Sequence, residues 1–150
     1  MSEYTVDITW KRETEDFSYK NYNRAHTWHF PGGTNLSASA APEYLGNAQL
    51  VNPEEAMIAA LSSCHMLTFL AIAAYKRLTV DNYEDHATGI VEKNEQGKMA
   101  LTHITLRPKI TFSGSPAPER STLEEMHKKA HENCFIANSV LTKVAVEPVF

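Results

Sequence analysis

Asn52-Pro53-Glu54-Glu55 opens the stretch that decides the fold. Twenty residues without a formal charge follow, Ala56 to Tyr75, closed by Lys76 and Arg77, with Ser62-Ser63-Cys64-His65 near the middle. The pattern predicts a helix starting at Asn52. An asparagine side chain caps free backbone N–H groups, proline suits the first helical position, and two glutamates oppose the positive end of the helix dipole. Lys76 and Arg77 complement the other end. Twenty uncharged residues are about the length of a membrane span. Against that reading, Ser62, Ser63, Cys64, His65 and Thr68 would sit at the bilayer centre, where polar side chains are costly. The expectation is therefore a helix buried on all sides, in a soluble core or a dimer interface, with no membrane partner.

Working outward, 150 residues make one domain, 1–150, large enough for a sizeable core. A formal charge of -4 gives no reason to expect nucleic acid. Met1-Ser2-Glu3-Tyr4 lacks the basic start and apolar run of a signal peptide, so the expected location is the cytoplasm. Two cysteines in a reducing compartment are inert core residues, metal ligands or a redox pair, not a static staple. Composition alone favours the first, because free cysteine is among the most buried residue types.

Ahead of the helix, Tyr4, Val6, Ile8 and Trp10 alternate with polar neighbours, which predicts a strand over 4–10 with one face in the core. A second strand pattern covers Arg24 to Phe30 and places Arg24, His26, Trp28 and Phe30 on one face. A short third strand fits 35–39, and a loop fits 40–51. After the helix, 80–93 and 99–112 read as two long strands joined as a hairpin across Asn94-Glu95-Gln96-Gly97, with Pro108 marking an edge or a bulge. A loop over 113–120 leads to a second helix, opened at Ser121 with Glu124 as its capping-box partner. Leu123, Met126, His127, Ala130, Cys134 and Ala137 recur at three- and four-residue spacing, which turns Cys134 inward. A final strand fits 140–149. The order βββ, long helix, ββ, helix, β is an α+β pattern, an antiparallel sheet packed on helices.

A reactive thiol needs a cationic neighbour, a helix N-terminus or a metal to bring its pKa down from about 8.5. Cys64 lies more than three turns from Asn52, beyond the helix dipole, and its helical neighbours include no base. An activator must come from elsewhere in the fold, and Arg24 is the most economical donor; a surface arginine is the plainer reading of the same residue. Glu54 could hold that guanidinium, although its place in the first helical turn already accounts for it. Glu54 and Cys64 stand ten residues apart, roughly 15 Å along one helix, so both meet Arg24 only if a second subunit supplies one of them. Metal binding competes: His127, His131 and Cys134 put three good zinc ligands on one helical stripe, without an obvious fourth. A third reading is a non-catalytic binding module for apolar ligands with inert cysteines. Phosphate loops and hydrolase elbows are absent from the sequence.

Asn52-Pro53-Glu54-Glu55, Ala59-Ala60-Leu61-Ser62-Ser63-Cys64-His65-Met66-Leu67 and Ala130-His131-Glu132-Asn133-Cys134-Phe135-Ile136-Ala137-Asn138-Ser139 together resemble the OsmC/Ohr family of osmotically inducible and organic hydroperoxide resistance proteins. The resemblance implies an OsmC-like fold, with antiparallel sheets packed on a long central helix in an intertwined homodimer. It implies a cysteine-based peroxidase in which Cys64 attacks an organic hydroperoxide and Cys134 resolves the sulfenic acid as a disulfide. Arg24, within Tyr22-Asn23-Arg24-Ala25-His26-Thr27-Trp28, resembles the family's catalytic arginine, and Glu54 the glutamate that pairs with it. The surrounding glycines of the hydroperoxide resistance branch are missing, Phe135 stands where that branch has proline, and His65 where it has an apolar residue. The implied partners are an organic hydroperoxide and a dithiol reductant of the lipoyl type; no cofactor or metal is implied. Met57, Leu61, Phe69, Trp28 and Phe135 are expected to line an apolar pocket or to be plain core.

Overall fold

The computed structural model describes residues 1–114 and 117–150. Its elements are β1 (Asp7–Thr9), β2 (His26–His29), β3 (Asn35–Ala38), α1 (Pro53–Tyr75), β4 (Val80–Asp85), β5 (Thr88–Lys93), β6 (Met99–Leu106), β7 (Pro108–Phe112), α2 (Arg120–Asn133) and β8 (Lys143–Val146). Single 3-10 turns cover Pro42–Tyr44 and Ala137–Ser139. This is the expected α+β order. The chain forms two compact units, Met1–Ala56 and Met57–Phe150.

The first unit is an antiparallel meander, β1-β2-β3, with Trp28 of β2 opposite Ile8 on one side and Leu36 on the other. The strand expected over 4–10 shrinks to three residues, and its apolar face is exposed rather than core: Tyr4, Val6, Ile8 and Trp10 all face solvent. Alternation shows that a strand has an apolar face; what covers that face is decided elsewhere. The second strand starts at His26, so Arg24 lies in the preceding segment and not on the strand face.

α1 begins as its sequence requires. The Asn52 side chain accepts the Glu55 N–H at 2.9 Å, and the Glu55 carboxylate accepts the Asn52 N–H at 3.1 Å, a reciprocal capping box. It ends in a Schellman turn: Leu78 N–H reaches Ala73 O at 2.9 Å and Arg77 N–H reaches Ala74 O at 3.0 Å. Arg77 takes the left-handed conformation there, φ 59°, where glycine is usual. Burial of the helix on all sides does not hold within one chain. Only Leu61, His65, Phe69 and Ala73, a stripe at four-residue spacing, are buried, whereas Leu67 is 60% exposed. α1 has the length and apolar composition of a membrane span, yet its middle is tied into the fold through Ser62 and His65.

The two long strands expected after α1 each divide in two. β4 pairs with β7, whereas β5 and β6 join β8 in a separate sheet, so the chain changes sheets at 86–87 and again at Arg107. Asp85 fixes this corner, its carboxylate accepting the Ser62 hydroxyl at 2.5 Å and the Arg107 N–H at 2.6 Å. Pro108 starts β7, the outer strand of a two-stranded sheet with β4, in keeping with the expected edge position; its far side carries one bridge, Lys109 to Val149, with the Val149 N–H donating to Pro108 O at 2.9 Å. The hairpin across 94–97 forms as expected, with Gly97 at φ +74° in its turn. Among the described residues the named strands pair antiparallel except β6 with β8, which is parallel, as are the single bridges Ala38–Val51 and Lys109–Val149.

Two apolar clusters fill this unit. Phe69 and Ala73 of α1 pack with Met126 and Ala130 of α2, over Tyr83, Ile110 and Phe112. Leu61 packs with Ile104 and Leu106 of β6, flanked by Ile58, Val144 and Val146. α1 lies so close to β5 that a Cβ on Gly89 would meet Ile58 Cδ1 at 2.6 Å. The capping box expected at Ser121 does not form: α2 starts one residue earlier, and Glu124 accepts from the Arg120 side chain at 2.9 Å instead.

Candidate functional site

Cys64 projects from the fourth turn of α1, one step off the buried stripe, and is partly exposed. Cys134 follows the last residue of α2 and is 1% exposed, on the inward stripe that its spacing predicted. The Ala137 N–H points at its sulfur at 3.4 Å. The two thiols are free and adjacent. The Cys134 thiol is pushed up to about 11, first by burial and next by the neighbouring Cys64 thiol, outweighing the N–H groups of Ala137 and Ile136. Cys134 is therefore held as a thiol at neutral pH, which leaves Cys64 as the partner open to reagents.

Beside the thiols is a feature that the sequence reading passed over. His65 Nε2 and His127 Nδ1 form a hydrogen bond of 3.0 Å between nearly parallel rings, and His127 stacks on Phe69 with ring centroids 4.5 Å apart. Both rings are buried, and among the described residues His65 Nδ1 has no partner. His65 is lowered to about 4 by burial and then by His131, with Asp85 opposing. His127 is lowered to about 4 by burial and then by His65. Both rings are uncharged at neutral pH. The usable signal was position: His65 occupies a four-residue stripe whose other members, Leu61, Phe69 and Ala73, are apolar.

In the first unit, Arg24 donates to the backbone carbonyls of Tyr22 (2.9 Å) and Tyr19, and its guanidinium lies over their rings at 3.9 and 5.0 Å. It lines a cavity of about 460 Å³ together with Trp10, Phe17, Tyr22, His26 and Pro53. Glu54 is partly buried in the first turn of α1, and among the described residues it pairs with no cation, Arg24 included. The expected apolar pocket is not assembled from the residues named for it. Leu61 and Phe69 are core in two different clusters, and Phe135 is 80% exposed. Zinc finds no seat either. Among the described residues no three His, Cys, Asp or Glu side chains converge, because His127 turns to His65 and Cys134 to Cys64.

The profile described as OsmC-like protein matches residues 46–148. No curated protein matches. Among solved structures, an OsmC-like protein of unknown function from Vibrio cholerae is 51% identical, with a TM-score of 0.96 over 99% of this chain and 100% of that one. An organic hydroperoxide resistance protein from Legionella pneumophila is 17% identical, TM-score 0.69 over 99% and 97%. The organic hydroperoxide resistance protein OhrB of Bacillus subtilis is 18% identical, TM-score 0.68 over 97% and 98%. The last two share the fold.

Proposed function

The chain belongs to the OsmC-like family, and on that premise we propose that it is a cysteine-based peroxidase that reduces organic hydroperoxides to alcohols. One observation carries the reading: two free thiols close enough for Cys64 to perturb Cys134, with Cys64 partly exposed and Cys134 buried, an arrangement that suits a peroxidatic and a resolving cysteine. Cys64 thiolate attacks the outer peroxide oxygen, the O–O bond breaks, and the alkoxide leaves as alcohol with a proton. Cys134 then attacks the sulfenic sulfur. The S–O bond breaks, water leaves with the Cys134 proton, and the disulfide forms. A dithiol of the lipoyl class returns the pair to thiols by exchange.

In this proposal the protein works as a cytoplasmic homodimer. The solvent-facing apolar residues of β1 and α1 support a second copy as their cover. Arg24 leaves its carbonyl partners and closes on Cys64 across subunits, favouring the thiolate, with Glu54 steadying the guanidinium. The test is turnover of cumene hydroperoxide with dihydrolipoamide. Wild type should consume peroxide and Cys64→Ser should not; equal rates in the two would remove the proposal and favour an apolar binding module.

A further inference from the structure

We propose that the His65–His127 hydrogen bond is a register pin that holds Cys134 against Cys64, making the two histidines positioning residues for disulfide formation. The inference rests on the peroxidase reading for its biological role, but not for its geometry.

His65 is the residue after Cys64 on α1, and His127 lies seven residues before Cys134 on the same inward stripe of α2. The imidazole bond therefore joins the same two segments as the thiol pair, one residue from Cys64 on α1 and about two turns before Cys134 on α2. The other contacts between the helices, Phe69 and Ala73 against Met126 and Ala130 and the Phe69 ring on His127, are packing contacts without hydrogen-bond direction. They favour burial without selecting one axial or rotational setting. A hydrogen bond between two ring nitrogens 3.0 Å apart does select one.

A pair of leucines or phenylalanines would fill this space without burying ring nitrogens, one of which, His65 Nδ1, has no partner among the described residues. Packing alone gives no reason for two histidines. A disulfide does, because it forms only over a narrow range of Cα separation and dihedral angle. Cys134 lies just beyond the end of α2, so its sulfur follows any sliding or rotation of that helix. The step being positioned is balanced: Cys64 S–OH and Cys134 S–H give the S–S bond and water.

The experiment follows a single turnover with cumene hydroperoxide, separating peroxide consumption from disulfide formation, in wild type, His127→Leu and His127→Asn. Asparagine keeps a polar atom near the position of Nδ1; leucine keeps only bulk. Leucine should leave peroxide consumption near the wild-type rate and slow disulfide formation about tenfold or more, with asparagine recovering most of the loss. Unchanged disulfide formation in His127→Leu, or equal slowing in both variants, overturns the pin.

The same three proteins are oxidised with diamide, which drives disulfide formation without peroxide chemistry. Loss of peroxide consumption in wild type together with the same variant order in diamide would sink the peroxidase reading and leave the pin standing. If His127→Leu does not fold, His65→Gln against His65→Met makes the same comparison, with Gln the faster of the two; equal rates overturn the pin.

Discussion

Acidification tests the buried histidines quantitatively. The perturbation is a fall from about pH 7.5 to about pH 5, across the interval between the ordinary histidine value of 6.5 and the value of about 4 that His65 and His127 have in the fold. The sign follows from where the proton goes first. A depressed histidine takes up its proton in the unfolded chain before it does so in the folded one. Its stability contribution is complete above 6.5 and is lost as pH falls toward 4. For one such ring the loss by about pH 5 is about 2 kcal/mol. For the pair we take about 3 kcal/mol, because His65 accounts for part of the His127 depression and solvent screening reduces both. The groups facing the pair enter with opposite signs: Asp85 favours the protonated His65 and His131 opposes it. The assay is urea unfolding at several pH values for wild type and for His65→Leu/His127→Phe, since carboxylates common to both proteins cancel in the difference. The wild type should lose about 3 kcal/mol more than the double variant over this range. Parallel stability curves would refute the reasoning.

Two further perturbations probe the frame around the thiols. Phe69→Ala removes a fully buried ring that contacts both Tyr83 and His127 and should cost about 3–5 kcal/mol in urea unfolding, while a loss below about 1 kcal/mol would mean that the site collapses around the gap. Asn52→Ala removes one half of the capping box and should cost about 1 kcal/mol by the same measurement; no change would show that Glu55 and solvent suffice at this end.

How much of this was legible in the chain depends on how local the cause is. The start of α1 was readable because proline, asparagine and two glutamates act within one turn of it. The inward setting of Cys134 was readable from spacing, and its nearness to Cys64 accords with what the resemblance implies. The divisions at 86–87 and Arg107 were not. β4 and β5 carry similar strand-forming residues, and which sheet each joins depends on Asp85 meeting Arg107 across 22 residues. The exposure of β1 was equally hidden, because alternation records a face and not its cover. His65 could have been noticed as the polar member of an apolar stripe; its partner, 62 residues away, could not.

The most direct measurement is mass spectrometry of the reduced protein after a stoichiometric amount of cumene hydroperoxide. The account predicts consumption of the peroxide, release of the alcohol and an intramolecular disulfide between Cys64 and Cys134. Unconsumed peroxide with both thiols still free would contradict it.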